Sequence, residues 1–515
     1  MKLYINEAIN EYIKRDIFPW HMPGHKRKVA MDHLFEKDFT EVPGLDDLHH
    51  PEGIIKEAED EIAKVYGTRK SFFLVNGSTS GIMAAIYAAV SIYKDAKPKI
   101  LVARNCHKSV FNAIELLGAE PVYVYPDRFL MEENDRDDSS IYKGLRPEDF
   151  VILKDELASG NISCAVITSP TYEGFLSDVN GISSLLHKYG IPLIVDEAHG
   201  AHLPFCDKFG RSAIYSGADM VIQSLHKTLP ALTQTAVLHI ADTKMCDDRY
   251  LSTGSHEVDS KPAGNAGVVA SIHNDLEDRV RKYLRIFMSS SPSYVFLANM
   301  ERCIAWCDEN RDEFEKFYDR VTDFRKRINA IGLHNIELLT GDVSRMTTGV
   351  NKSADGNEAG IHEVNSVRGL RIDPSRLTFV IKGMSGRKAA KLLEEKYGIV
   401  VEMTGADHIV LISTVMDSEE DFMRLESAIK ELDVDIEYGS DHQDEEKTVV
   451  SLEEFVVHTD HGECPINYAI GLRSKDYIYM YPPGSPIIAP GDTITKEMTE
   501  TILACLERGG SVRIQ

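Results

Sequence analysis

The sequence predicts an α/β protein whose core is a mostly parallel, seven-stranded sheet with helices on both faces. Short β-branched runs alternate with helix-like stretches through the first half of the chain. Because crossover helices connect parallel strands, this alternation indicates a sheet that is covered on both sides. The runs are SFFLV (71–75), KILVA (99–103), PVYVY (121–125), CAVIT (164–168), PLIVD (192–196), DMVIQ (219–223) and TAVLHI (235–240).

The second half follows a different pattern, which predicts further domains. A long helical stretch runs from about residue 274 to 328 and is interrupted by SSSPSY. A smaller α+β unit follows, with RLTFVIKG, a helix over about 386–397, and HIVLIST. The run GSDHQDEEK near 439–447 is typical of a linker, and the cluster MEENDRDDSS at 131–140 of an exposed loop. We therefore predict four parts: an N-terminal arm (1–45), a large domain (46–310), a small α+β domain (311–438), and a linker with a C-terminal segment (439–515).

Composition excludes several classes of function. The 57 Lys and Arg against 81 Asp and Glu give a net charge of −24, which disfavours nucleic acid as a partner. No apolar run approaches the roughly 20 residues that span a bilayer, and the N-terminus lacks a signal-peptide core. The eight cysteines form no CxxC pair, as expected for reduced thiols. We expect a cytoplasmic protein that needs neither a membrane nor a metal.

A carboxylate and a lysine each follow a predicted strand of the sheet. Asp196 closes the run PLIVD, and Lys227 lies in SLHK just after DMVIQ, one crossover unit later. Strand ends of an α/β sheet gather functional groups at their carboxyl edge, so both side chains can reach one crevice. This pair suits a pyridine cofactor, because the lysine can bind it as an imine while the ionised aspartate keeps the pyridine nitrogen protonated.

The segment VNGSTSG (75–81) can hold a phosphate. It places a glycine turn and three hydroxyls, those of Ser78, Thr79 and Ser80, at the start of a helix, where backbone N–H groups and the helix dipole favour an anion. Ser and Thr are also the usual helix caps, so the motif alone leaves capping open. Together with Asp196 and Lys227 it becomes more specific, and Ser224 and His226 are further candidate donors to the same phosphate.

Histidines of the first half admit several interpretations. His107 follows the strand KILVA and starts a helix, so it can stack on a cofactor ring, or it can be a cap or a core histidine. DEAH at 196–199 resembles a helicase box, yet no GxxxxGK[ST] loop accompanies it. Zinc would require an HExxH or Cys/His finger spacing, and the histidines concerned show none: His21, His25, His199, His202 and His226.

Many collinear motifs resemble the Orn/Lys/Arg decarboxylase family, pyridoxal-phosphate enzymes with the aspartate-aminotransferase fold (fold type I). The motifs are HMPGHK (21–26), GLDDLHHPEG (44–53), YGTRKSFFLVNGSTSG (66–81), RNCHKSV (104–110), SPTYEGFLSDV (169–179), VDEAHGAHLPF (195–205), SLHKTLPALTQTAVLH (224–239) and YPPGSPIIAPGD (481–492). Unlike its larger relatives, the chain has only a short arm before HMPGHK, which implies a form without their receiver-like wing domain.

The resemblance assigns roles to individual residues. It implies that Lys227 binds pyridoxal 5′-phosphate covalently, that Asp196 contacts the pyridine nitrogen, and that His107 stacks on the ring. His199 would lie near the ring oxygen and the substrate. The implied phosphate ligands are Thr79, Ser80, Ser224 and His226. SSSPSY resembles a segment that reaches the phosphate of a neighbouring subunit, which implies a homodimer with shared active sites through Ser290 or Ser291.

The function that follows from the resemblance is decarboxylation of a basic amino acid in polyamine biosynthesis. The motifs SPTYEG and SLHKTLPALTQTA favour lysine, with arginine or ornithine as alternatives. Tyr172 and Glu173 are candidates for contact with the substrate, although SPTYEG is equally compatible with a surface turn. Two other classes remain open: an aminotransferase or aldolase on the same fold, and a cofactor-free scaffold.

Overall fold

The computed structural model describes residues 1–14, 33–92, 97–127, 141–242, 275–340, 371–438, 455–481, 485–507 and 511–514. Three features predicted above lie outside the described residues: the HMPGHK motif, the acidic loop at 131–140, and the linker run GSDHQDEEK.

The predicted seven-stranded sheet is confirmed. Its spatial order is β1-β7-β6-β5-β4-β2-β3. Strands β2 to β6 pair in parallel, whereas β7 is antiparallel to both of its neighbours, β1 and β6. Most strand residues are buried on both faces, which explains why the strands are continuous apolar runs. The strands are β1 Lys70–Leu74, β2 Lys99–Ala103, β3 Glu120–Val124, β4 Ile162–Thr168, β5 Leu193–Asp196, β6 Met220–Ser224 and β7 Ala236–Ile240.

Helices cover this sheet and continue beyond it. The helix α3 is apolar on nearly all sides because it packs between the sheet and α8. The helices of this half are α1 Tyr4–Lys14, α2 Ile54–Tyr66, α3 Gly77–Val90, α4 Lys108–Leu117, α5 Lys154–Ala158, α6 Val179–His187, α7 Leu225–Thr228, α8 Leu276–Phe287, α9 Tyr294–Glu309 and α10 Arg311–Ile331.

The long helical stretch after the sheet is divided twice. The predicted interruption at SSSPSY separates α8 from α9, and Ser293 caps α9 by accepting a hydrogen bond from the backbone N–H of Phe296. A second break at Asn310 was not predicted. Asn310 has φ −121° and ψ 41°, which ends α9 before α10 begins at the next residue.

The smaller α+β unit is confirmed as a four-stranded antiparallel sheet, ordered β10-β11-β9-β8, with two helices. The predicted helix over 386–397 has those bounds. The elements are β8 Ile336–Leu338, β9 Arg376–Ile381, α11 Gly386–Tyr397, β10 Met403–Thr404, β11 His408–Ile412 and α12 Glu419–Tyr438.

The C-terminal segment has an apolar cluster of its own, built around Val457, Ile478 and Ile488. Arg104 connects the large unit to this segment, because its guanidinium donates hydrogen bonds to the carbonyl oxygens of Pro486 and Ile487. This separate cluster concerns the C-terminal segment alone, since one apolar cluster joins residues from Ile5 to Leu432, and the four-part division of the chain stays a prediction. The elements are β12 Val456–Thr459, β13 Gly462–Pro465, β14 Ile478–Tyr481, β15 Ser485–Ile488, α13 Lys496–Glu507 and β16 Ser511–Ile514. Across the described ranges, the helices lack the length and apolar character that crossing a membrane would require.

The turn within SPTYEG docks against β9 of the smaller unit. Backbone Asp373 N–H donates to the carbonyl of Gly174 at 2.9 Å, and the hydroxyl of Thr378 donates to that of Glu173 at 2.9 Å. Gly174 has φ +105°, and a Cβ added there would lie 2.5 Å from the Cβ of Arg376. Only glycine therefore permits this close approach between the two units.

Gly174→Ala is expected to lower the free energy of unfolding by about 2–4 kcal/mol, because it combines a positive φ with an overpacked contact. Gly160→Ala is the matched control, since Gly160 also has a positive φ, +70°, but faces open space. The control is expected to lose only about 1–2 kcal/mol. Urea unfolding of both variants measures the difference, and equal losses would contradict the proposed contact.

Candidate active site

The carboxyl edge of the large sheet opens into a cavity of about 400 Å³. Both Asp196, at the end of β5, and Lys227, in the short helix after β6, line this cavity. Seven further residues singled out from the sequence line it as well: Ser78, Thr79, His107, Tyr172, Glu173, His199 and His226. The fold therefore brings together residues that are far apart in sequence.

One wall of the cavity is the start of α3. Gly77 adopts φ +73°, and Asn76, at the N-cap position, makes no side-chain capping bond. Gly77, Ser78 and Thr79 all line the cavity, so the positive end of a long helix faces it. This arrangement fits an anion such as phosphate.

Three of the predicted phosphate ligands do not line the cavity. Ser80 donates its hydroxyl to the carbonyl of Gly77 at 2.8 Å. Ser224 is fully buried and donates to the hydroxyl of Ser78 at 3.0 Å, so it can act through Ser78. Ser291 is exposed and lies outside the cavity of its own chain.

His226 contacts the backbone behind the cavity. Its Nδ1 lies 2.9 Å from the carbonyl oxygen of Thr235, and since a carbonyl can only accept, Nδ1 carries the proton. A neutral His226 therefore has an unprotonated Nε2, which can donate to a phosphate only after protonation. Burial lowers the pKa of His226 below its ordinary value.

Asp196 is 3% exposed and accepts a hydrogen bond from the backbone N–H of Ala198 at 3.1 Å. Burial raises the pKa of Asp196, and the nearby Lys227 acts in the opposite direction. The adjacent Glu197 has different surroundings and does not line the cavity. It accepts hydrogen bonds from the Ser212 hydroxyl and from the Gln223 amide. Of these two carboxylates, Asp196 is thus the one available to a ligand.

His107 is a helix cap, one of the alternatives left open by the sequence, and it also lines the cavity. Its Nδ1 accepts a hydrogen bond from the backbone N–H of Ser109 at 3.2 Å at the start of α4. Burial and the positive charges of Lys227 and Lys108 lower the pKa of His107 to about 4. The imidazole is therefore neutral at physiological pH. A neutral imidazole is compatible with the predicted stacking on a cofactor ring.

Lys227 belongs to a chain of contacts that the sequence did not reveal. Its Nζ lies 3.1 Å from Nε2 of His199, and Nδ1 of His199 lies 2.6 Å from Nη2 of Arg376. Burial lowers the pKa of Lys227, and the charge of Arg376 lowers it further. Arg376 starts β9 in the smaller unit, and no local motif connects it to His199.

The segment SPTYEG forms part of the cavity wall, so the alternative of a plain surface turn is wrong. Tyr172 and Glu173 both line the cavity, and Glu173 is 5% exposed. Burial raises the pKa of Glu173. The hydroxyl of Tyr172 donates to Glu402 at 2.6 Å, a contact that the sequence also did not reveal. Other lining residues missed from the sequence are Asn76, Asn105, Tyr142, Thr168, Thr171, Ala198 and Gln234.

Within the described ranges, no three side chains from His, Cys, Asp and Glu form a group suited to a metal ion. The cavity instead combines a helix N-terminus, a buried carboxylate, neutral imidazoles and a lysine of lowered pKa. This set can bind an anionic group, stabilise a protonated ring nitrogen and attack a carbonyl carbon.

A protein-family model and several known proteins are similar to this chain. The family model described as "Orn/Lys/Arg decarboxylase, major domain" matches residues 5–421. The chain is 31% identical over 520 residues to "Uncharacterized protein YaaO" of Bacillus subtilis (strain 168), covering 98% of this chain and 94% of the relative. It is 28% identical over 524 residues to an arginine decarboxylase of Bacillus anthracis, covering 98% and 92%.

A solved structure has a similar fold. The lysine decarboxylase LdcF of Francisella novicida superposes with a TM-score of 0.71 at 20% identity, covering 100% of this chain and 79% of that one. At this identity the likeness concerns the fold, and it confirms the fold type I architecture predicted from the sequence motifs.

Proposed function

Since this chain belongs to the Orn/Lys/Arg decarboxylase family, whose members are amino-acid carboxy-lyases, we propose that it uses pyridoxal 5′-phosphate to remove the α-carboxylate of a basic amino acid. The observation that carries the proposal is that a single cavity brings together Lys227, Asp196 and the start of α3.

The residues that line the cavity fit this cofactor. The start of α3, with Ser78 and Thr79, would hold the phosphate, and Asp196 would accept a hydrogen bond from the pyridine nitrogen. Lys227 would bind the aldehyde carbon covalently, and His107 would lie against the ring. When bound, the cofactor supplies an electron sink for the bond between Cα and the carboxylate.

The protein must also deliver a proton to the Cα that loses its carboxylate. Nζ of Lys227 and Nε2 of His199 lie 3.1 Å apart beside the cavity, and we assign this proton to that pair of atoms. Tyr172 packs against the imidazole, with ring centroids 4.7 Å apart, which restricts the orientation of His199.

Glu173 is our candidate for the carboxylate that binds the side-chain cation of the substrate. A buried carboxylate is costly unless it is paired, and the cation of a basic amino acid would add to the positive charge that His408 and Arg376 already supply near Glu173. Thr171 already donates to Glu173, which leaves lone pairs for a ligand. Glu402, held by Tyr172, adds a second negative charge near the same wall.

The sequence motifs favoured lysine, but the Bacillus anthracis relative described above, 28% identical over 98% of this chain, is an arginine decarboxylase. A carboxylate can accept the planar fork of a guanidinium through two hydrogen bonds, whereas an ammonium is a single point charge. We therefore propose arginine as the first substrate to test, with lysine and ornithine beside it. A role in polyamine biosynthesis, which would follow from an amine product, and a cytoplasmic location both stay predictions.

Parallel incubation with arginine, lysine and ornithine tests the proposal, with agmatine, cadaverine and putrescine measured as products. We expect agmatine to dominate and carbon dioxide to form in equal amount. Dominant cadaverine would restore lysine and leave the chemistry intact. Keto-acid formation without any of the three amines would indicate an aminotransferase and contradict the proposed reaction.

We also propose a homodimer with shared active sites. Ser291 is exposed and lies outside its own chain's cavity, so a phosphate contact by this residue would require a second subunit. Mixing inactive Lys227→Ala protomers with inactive Ser291→Ala protomers is then expected to restore part of the activity, because mixed dimers contain one intact site. Each variant mixed with itself is the control. A fully active monomer by light scattering would contradict shared sites.

A further inference from the structure

The contact between Arg376 and His199 fixes where the imidazole carries its proton. Nη2 of Arg376 lies 2.6 Å from Nδ1 of His199. A guanidinium has only N–H donors, so Nδ1 must accept this hydrogen bond and cannot carry a proton. Burial, the largest effect, lowers the pKa of His199 well below its ordinary value, and the charge of Arg376 acts in the same direction, so the ring is neutral without any contribution from Lys227. Its single proton therefore lies on Nε2.

The position of this proton restricts the state of Lys227. Nε2 lies 3.1 Å from Nζ of Lys227, and a protonated Nε2 can only donate. An ammonium has no lone pair to accept with, whereas a neutral amine has one. The pair of hydrogen bonds is therefore complete only when Lys227 is uncharged.

Other charges around Nζ act in both directions. The carboxylates of Asp196 and Glu402 favour the ammonium form, while burial and the charge of Arg376 favour the neutral amine. The neighbouring histidines, His107 and His226, have lowered pKa values and add no positive charge at neutral pH. Burial is the largest of these effects, and it lowers the pKa of Lys227.

We propose that Arg376 is a positioning residue that holds His199 in the Nε2–H tautomer and thereby keeps Lys227 as a neutral amine that can react with a carbonyl compound. The lone pair of Nζ attacks the carbonyl carbon, the nitrogen loses two protons, and the carbonyl oxygen leaves as water. The proposal rests on the proposed role of Lys227 as the covalent anchor of the cofactor.

Within the part of the chain that the structure describes, only one of the three guanidinium nitrogens of Arg376 is hydrogen-bonded, and it contacts His199. It is 1% exposed, and its Nε and Nη1 atoms have no hydrogen-bond partner among the described residues. Unpaired buried N–H groups destabilise a protein, and the attraction of the nearby carboxylates of Asp373, Glu402 and Glu173 acts against this cost. Its Nη2 contacts His199 twice, at Nδ1 and, at 3.3 Å, at the backbone oxygen.

Arg376 lies on β9 of the smaller unit, whereas His199 and Lys227 belong to the large unit. Arg325 supports β9 at this point, donating to the carbonyl oxygen of Arg376 at 3.0 Å. Gly174 packs directly on the Cβ of Arg376 from the other side. The protonation state of Lys227 is therefore linked to the docking of the two units.

The test measures the reactivity of Lys227 in the full-length protein freed of cofactor. A small amine-acylating reagent is applied briefly across a pH series, and the labelled Lys227 peptide is quantified by mass spectrometry. Arg376→Met removes both the charge and the donor, whereas Arg376→Gln removes the charge but keeps an N–H donor. We expect Arg376→Met to shift the midpoint of Lys227 labelling upward by at least about one pH unit. At a pH below both midpoints, this shift corresponds to about tenfold less labelling than in the wild type. Gln, which loses the charge but keeps the donor, is expected to shift the midpoint upward by clearly less than Met does.

A second pair of variants tests the tautomer. The amide nitrogen of Gln can occupy the place of Nε2–H, and that of Asn the place of Nδ1–H. His199→Gln is therefore expected to keep Lys227 reactive at neutral pH, and His199→Asn to lose that reactivity. The rate at which each cofactor-free variant takes up pyridoxal phosphate, followed by absorbance, is expected to show the same order.

Arg325→Met is the matched control, because it removes a guanidinium that supports β9 without contacting His199. We expect it to lower stability and to leave the labelling midpoint of Lys227 unchanged. Equal shifts for Arg376→Met and Arg376→Gln would show that only the charge matters, and no shift in either would remove the role altogether. Both outcomes overturn the proposal even if the enzyme releases amine and carbon dioxide. Conversely, the expected shifts without any amine product would contradict the proposed function alone.

Discussion

Lys227→Ala is expected to abolish amine formation, with a loss of more than about 10⁴-fold in kcat, because both the covalent anchor and one of the two proton-carrying atoms disappear. The variant should still bind pyridoxal phosphate, since the start of α3 and Asp196 are unchanged. Amine production and the visible spectrum measure the two effects. Bound cofactor should absorb as the free aldehyde in the variant.

Lys108→Ala is the control for this loss. Lys108 lies beside His107 but does not line the cavity, so it changes the local charge without removing a ligand. We expect near-normal turnover in this variant. Substantial amine formation by Lys227→Ala would refute the assignment of the anchor.

Asp196→Asn is expected to fold and yet to lose about 10²–10³-fold in kcat, by analogy with the loss of one charge-stabilising group in other active sites. The amide oxygen can still accept from the backbone of Ala198, but a neutral amide cannot keep a pyridine nitrogen protonated. Steady-state kinetics and the spectrum of the bound cofactor check this result.

The adjacent carboxylate supplies a matched control for Asp196. Glu197→Gln places an amide among groups that donate to Glu197, which are the Ser212 hydroxyl, the Gln223 amide and the backbone N–H of Ala213. We expect this variant to lose about 1–3 kcal/mol of stability and to keep the cofactor spectrum. If Asp196→Asn turned over normally while Glu197→Gln did not, the roles of the two carboxylates would have to be exchanged.

The sheet and the first elements of the site could be predicted because they depend on local sequence. Each buried strand is a continuous apolar run, so its position is readable without knowledge of its neighbours. Asp196 and Lys227 follow such runs, and the strand ends of a parallel sheet meet at one edge. The glycine and hydroxyls of VNGSTSG similarly predict the start of α3.

The contacts between units could not be predicted, because nothing in the local pattern encodes them. Arg376 begins a strand in RLTFVI, where an arginine is expected to be exposed, yet it is buried against His199. Glu402 reaches Tyr172 across the same seam. The break at Asn310 escaped prediction because the flanking residues, DENRD, are compatible with a continuous polar helix face.

The hydroxyls of the phosphate loop show a further limit. The sequence could not separate Ser78 and Thr79, which line the cavity, from Ser80, whose hydroxyl bonds to the backbone of its own helix. All three residues share the first turn of α3, and the direction of each side chain is set by the helix geometry and by packing against β6.

Borohydride reduction of the wild-type enzyme with bound cofactor, followed by peptide mass mapping, tests most directly whether Lys227 carries the cofactor. We expect a pyridoxyl label on the peptide that contains Lys227, at one label per chain, and no label in Lys227→Ala. A label on another lysine, such as Lys108 or Lys382, would contradict the account.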